Sequence, residues 1–70
     1  MKKKIKIKLN GKIKTVEESS KLLDILRSFK IPLKKVAIEL NEEIVDKKKI
    51  DKINLKTNDK IEIVHFIGGG

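Results

Sequence analysis

Ile5-Lys6-Ile7-Lys8-Leu9 alternates strictly between apolar and charged residues, and Asn10-Gly11 follows at once. A period of two is the mark of a strand with one buried face. Asn-Gly is a strong short-range turn signal, so residues 3–16 read as a β-hairpin. Its register is open to two loops. A two-residue Asn10-Gly11 loop pairs Leu9 with Lys12 and Ile7 with Lys14, mixing apolar and charged residues on one face. A three-residue loop over Leu9-Asn10-Gly11 pairs Lys8 with Lys12 and Ile7 with Ile13, which keeps the isoleucines on one face. It also puts Gly11 at the left-handed position of a bulged turn. The pattern therefore predicts the bulged turn, with Lys6, Lys8, Lys12 and Lys14 together on the outer face.

A hairpin with one apolar face needs a cover. Leu22, Ile25, Leu26 and Phe29 recur at i, i+3, i+4 and i+7, the stripe of an amphipathic helix. Ser19 or Ser20 is the expected cap, since a serine oxygen accepts from a free first-turn amide. Pro32 disfavours helix at Ile31, so the helix should stop near Lys30. Val36 to Leu40 reads as a third strand, Asn41-Glu42 as a turn, and Ile44-Val45 as a short fourth strand. Asp46 to Lys52 is polar and suits a helical turn, with Ile50 and Ile53 as anchors. Lys56 to Asp59 is a turn, and Ile61 to Ile67 is the last strand. This order implies an α+β domain: a mixed sheet of about four to five strands with one main helix packed across it.

Seventy residues make one domain, expected over 1–67, with residues 68–70 as a flexible glycine tail. A chain of this size buries only about 60% of the surface it exposes when unfolded, leaving little room for a deep catalytic pocket. It has no cysteine, which removes disulfides and thiolate chemistry. The start is basic but alternating, unlike a signal peptide, and no apolar run is long enough to span a bilayer. The expected location is the cytoplasm. The formal charge is +8 and is unevenly spread. Seven lysines and no acid precede Glu17, and the remainder is nearly neutral. Such a segment suits nucleic acid, an anionic membrane, an acidic protein, or solubility alone.

Side chains that do chemistry are scarce. His65 is the only histidine. Without cysteine or a second histidine it completes no zinc set, and no metal is expected. The acids scatter through turns and helix ends, and Ser19 and Ser20 serve better as caps than as nucleophiles. Gly68-Gly69-Gly70 is no phosphate loop, because no helix or Lys-Ser/Thr follows it. No residue is expected to be catalytic. From composition alone the glycine tail has two readings, a frayed end or a functional one. The functional reading has a physical basis. A terminal carboxylate has a pKa of about 3.3–3.7, so at neutral pH it is an anion and a poor electrophile that must be activated. Glycines let the backbone enter a narrow channel with no Cβ to clash. Three extended residues reach about 10 Å past the strand.

Ile61-Glu62-Ile63-Val64-His65-Phe66-Ile67-Gly68-Gly69-Gly70 resembles the C-terminus of the ThiS family, the sulfur carriers of thiamine biosynthesis. So does Val36-Ala37-Ile38-Glu39-Leu40-Asn41 followed by Ile44-Val45. The resemblance covers nearly the whole chain and implies a ubiquitin-like β-grasp fold with the last strand beside the first. Glu42 and Asn58 depart from it, standing at turn positions where glycine is expected.

The resemblance also implies a mechanism. An E1-like activating enzyme of the ThiF type adenylates Gly70 with ATP and magnesium. A sulfur donor converts the acyl-adenylate to a thiocarboxylate, and a thiazole synthase of the ThiG type takes the sulfur. The chain binds no cofactor itself and is a protein cosubstrate, not an enzyme. Gly70 carries the sulfur, while Gly68 and Gly69 give access. If Ile61 and Ile63 face the helix, Val64 and Phe66 face the other side of the sheet. With Ile67 they are the candidate docking residues. The alternatives are a sulfur carrier for molybdopterin or another pathway, a protein-conjugating modifier, an interaction domain without tail chemistry, and a small basic nucleic-acid-binding module. The last lacks tyrosine and tryptophan as stacking platforms.

Overall fold

The computed structural model describes residues 3–65. In it, β1 (Lys4–Leu9) and β2 (Lys12–Glu17) pair antiparallel, with Leu9 opposite Lys12, Ile7 opposite Lys14 and Ile5 opposite Val16. The loop is therefore the two-residue Asn10-Gly11 turn and not the expected bulged one. Both turn residues are left-handed, with φ of 50° at Asn10 and 83° at Gly11. That is the requirement of a type I′ turn, whose twist matches that of the flanking strands. Turn chemistry has overridden the apolar pattern. Ile13 is moved to the outer face, where it is 65% exposed beside Lys6 and Lys8. Lys12 and Lys14 go to the helix side, so the expected face of four lysines does not form. This costs little because β2 lies at the edge of the sheet. There Lys14 is half-buried, with its ammonium 5.3 Å from the centre of the Phe29 ring. The aliphatic stem covers apolar surface while the charge stays near water.

The helix, α1 (Leu22–Ser28), is capped one residue later than expected, at Lys21, and by neither serine side chain. The Leu22 N–H donates to the Ile53 carbonyl at 2.9 Å, and the Lys21 N–H donates to the Asp24 carboxylate. Ser20 accepts from the Leu55 N–H through its backbone carbonyl. Residues 53–55 thus satisfy groups that a serine cap would otherwise serve. The far end stops near Lys30, as Pro32 requires. The Ile31 N–H reaches back to the Leu26 carbonyl and the Lys30 N–H to that of Arg27, with Lys30 left-handed at φ 57°. This is a Schellman termination, with lysine where glycine is commoner.

After a 3-10 turn over Leu33–Lys35 come β3 (Val36–Leu40) and β4 (Glu43–Ile44). The polar stretch forms a second 3-10 turn, Lys47–Lys52, started by the Asp46 side chain accepting from the Lys48 N–H. Ile50 is buried and Ile53 half-buried, so both act as anchors. The chain then enters β5 (Lys60–His65). The sheet order is β2-β1-β5-β3-β4. β5 is parallel to β1 and antiparallel to β3, which places the last strand centrally beside the first. Leu22, Ile25 and Leu26 of the helix pack against Ile7, Leu9, Val36, Ile38, Ile61 and Ile63 of the sheet, with Ile50 and Leu55 closing one side. The result is a five-stranded mixed sheet crossed by one helix, where about four to five strands were expected.

Glu42 occupies a left-handed position with φ 71°, beside Asn41 at 53°. A left-handed residue with a Cβ costs about 1–2 kcal/mol. The contact of Glu42 with Lys60 is 3.9 Å between exposed groups and offsets little of it. Glu42→Gly is therefore expected to stabilise the fold by about 1 kcal/mol, read as a higher urea midpoint at unchanged m-value.

Candidate functional site

β5 leads directly into the segment that holds most of the candidate residues, so its surroundings define the site. Ile61 and Ile63 are buried against the helix, and Val64 is 54% exposed on the opposite face. Val64 pairs with Ala37 of β3, and His65, also exposed, pairs with Val36. Phe66, Ile67, Gly68, Gly69 and Gly70 lie outside the described residues.

The outer face has two characters. Toward β1 and β2 it is basic: Lys6, Lys8 and Lys60 surround Ile13 and Asn58 in a shallow groove of 390 Å³. Toward β3 and β4, Glu62 pairs with Glu39, which pairs with Ile44, itself 79% exposed. Lys60 stands at the seam, 3.7 Å from the Glu62 carboxylate and 3.9 Å from that of Glu42. Val64 and Ala37 form an apolar pair on the outer face at the end of the sheet where β5 runs out, and Ile44 is exposed in the row of Glu39 and Glu62.

Three side chains hold this sheet in register, and the sequence placed them only in turns, without these roles. The Asn10 side-chain oxygen accepts from the Ile63 N–H at 2.7 Å. The buried Asp59 accepts from the Lys56 N–H at 2.7 Å and from the Asn41 amide at 3.0 Å. The Asn41 oxygen in turn accepts from the Lys60 N–H at 2.9 Å. Asn and Asp in turns were the available signal. Their distant partners, however, depend on sheet order, which periodicity does not reveal. Among the described residues no cluster of His, Cys, Asp or Glu is arranged to hold a metal ion. No helix among them is long and apolar enough to cross a membrane.

The comparisons with known proteins agree with this geometry. The model of the ThiS family matches residues 7–70. The sulfur carrier protein ThiS of Bacillus subtilis is 40% identical over 65 residues, covering 91% of this chain and 98% of that protein. The crystal structure of the thiamine biosynthesis protein ThiS from Geobacter metallireducens superposes with a TM-score of 0.82 at 32% identity, covering 94% of this chain and all of that one. A thiazole synthase of Magnetococcus marinus is 38% identical over 66 residues, which is 94% of this chain but 20% of that enzyme. That enzyme thus contains a region resembling this whole domain. With the fold and these matches together, the chain belongs to the ThiS family of sulfur carrier proteins of thiamine biosynthesis.

Proposed function

We propose that the carboxylate of Gly70 is the group that carries sulfur. The observation that supports this most is continuity: the central strand β5 runs into Phe66-Ile67-Gly68-Gly69-Gly70, and the family match extends through residue 70. A carboxylate anion resists nucleophilic attack, so activation comes first. An E1-like enzyme joins it to the α-phosphorus of MgATP, releasing pyrophosphate and leaving an acyl-adenylate. Sulfur at the sulfide level, as hydrosulfide supplied by a donor, attacks the acyl carbon, the C–S bond forms as the C–O bond to AMP breaks, and a thiocarboxylate remains. Thiazole synthase then takes the sulfur in exchange for an oxygen from water or from its own substrate, and the carboxylate is restored. ATP and magnesium belong to the activating enzyme.

The domain's share of this work is presentation. Gly68 and Gly69 allow the tail into a narrow channel, the exposed Val64 offers partners an apolar contact before it, and Phe66 and Ile67 are the further candidate docking residues. The region of thiazole synthase that resembles this chain supports that enzyme as the sulfur acceptor.

The test is intact-protein mass spectrometry after incubation with the cognate E1-like enzyme, MgATP and a sulfur donor. The expected result is a gain equal to replacing one oxygen by sulfur, complete loss of that gain when Gly70 is deleted, and return to the starting mass when thiazole synthase and its substrates are added. An unchanged mass in the full-length chain, with the enzyme active on ATP, overturns the reading.

A further inference from the structure

β3 covers one side of β5 throughout, from Leu40 opposite Ile61 to Val36 opposite His65. The other side is covered less far. β1 reaches only Leu9 opposite Ile61, and then turns away at Asn10-Gly11. Asn10 extends the cover by one step: its N–H donates to the Ile61 carbonyl at 2.9 Å, and its side-chain oxygen accepts from the Ile63 N–H at 2.7 Å.

In a strand, successive residues turn their N–H and C=O to alternate sides. Asn41 donates to the Lys60 carbonyl across the β3 side, so the even-numbered residues of β5 face β3. The odd-numbered ones face β1. The Ile63 carbonyl and the His65 N–H therefore point past the hairpin turn, where neither has a hydrogen-bond partner among the described residues. An adjacent acceptor and donor on an open edge is the template onto which another strand adds.

We propose that this edge, the Ile63 carbonyl and the His65 N–H, receives an extended strand of the E1-like enzyme that takes up the tail. The inference rests on the carrier reading above and adds how the partner grips the chain. The edge is continuous in sequence with the tail, so a protein that encloses the tail must pass beside it. A second copy of this chain does not suit it. Two hydrogen bonds cannot offset the freedom lost when two free molecules associate, whereas they add usefully to an interface already formed around the tail. The bonds are to backbone, so they fix the direction of the tail without depending on the His65 side chain.

The experiment compares His65→Pro with His65→Ala. Proline removes the N–H, and it is tolerated where that N–H takes no part in a ladder, as here on the side away from β3. Affinity for the cognate enzyme, measured by titration calorimetry, should weaken about tenfold for His65→Pro. It should stay within about twofold for His65→Ala, which keeps the N–H. Equal binding by both variants and the unchanged chain overturns strand addition, and so does an equal loss in both, which would assign the contact to the imidazole. Amide hydrogen exchange of the unchanged chain checks the point without a variant. The His65 N–H should exchange freely alone and become protected in the complex; an unaltered rate in the complex overturns the proposal. A cognate enzyme that neither binds nor adenylates the unchanged chain overturns the carrier reading itself, and strand addition with it.

Discussion

Ile61→Ala is expected to remove about 3 kcal/mol of stability, the usual cost of emptying a fully buried isoleucine site. Ile61 is 0% exposed, opposite Leu9 on one side and Leu40 on the other. Its neighbours are the last residues of β1 and β3, pinned there by the sheet ladder and by the Asn10 N–H on the Ile61 carbonyl, so the space left behind closes only in part. A domain of this length has about 4–10 kcal/mol to lose, so the variant should forfeit between about a third and three quarters of its stability. Urea unfolding followed by circular dichroism reads the effect as a lowered midpoint. Ile13→Ala is the matched comparison. The residue type is the same, but Ile13 is 65% exposed on the outer face, and the change should stay within about 0.5 kcal/mol. Had the hairpin closed through a three-residue loop, Ile13 would lie opposite Ile7 in the core and the two variants would be about equally damaging. The pair of midpoints therefore tests the register as well as the core.

That register shows where sequence reasoning stops. Periodicity located every strand and the helix, because each apolar stripe has to face the one core. It failed at Ile13 because it treats β2 as though it were central. At the edge of the sheet Lys12 stays exposed and Lys14 is only half-buried, so the helix side of β2 tolerates both, and the backbone preference of Asn10-Gly11 decides the loop. The helix start was misread for a related reason. Ser20 has the right chemistry for a cap, but the backbone of residues 53–55, distant in sequence, arrives first. The departures at Glu42 and Asn58 were legible in kind: both turns do require left-handed backbone, with φ of 71° and 70°. As for the site, the exposure of Val64 follows from alternation along β5. The Asn10 clamp on Ile63 and the open edge beyond it do not, since they exist only once β1 and β5 are known to be neighbours.

Asp59→Ala is expected to cost about 2–3 kcal/mol, although it removes no apolar packing. The loss comes from what the carboxylate satisfies. One oxygen accepts from the Lys56 N–H and the other from the Asn41 amide, and Asn41 passes the connection on to the Lys60 N–H at the first residue of β5. Asp59 is 9% exposed, so water does not readily replace it. Alanine leaves two donors unpaired in a confined place, which is costlier than deleting both partners together. Asp59→Asn preserves the shape and sharpens the argument. Both partners are donors, and asparagine offers them one acceptor and one donor. Turning the Asn41 amide over to match would break its bond from Lys60. The isosteric variant should therefore lose at least about 1 kcal/mol, and thermal unfolding of the three proteins should rank them Asp59, then Asn, then Ala. Asn41→Ala should be damaging alone but add little to Asp59→Ala, because the two side chains serve one circuit. The effect should also be local in function. Asp59 lies before β5 begins and the tail lies after it ends, so well below the unfolding temperature the Asp59→Ala chain should still accept sulfur at Gly70. Loss of sulfur loading in a chain that remains folded would mean that the start of β5 controls the presentation of its other end.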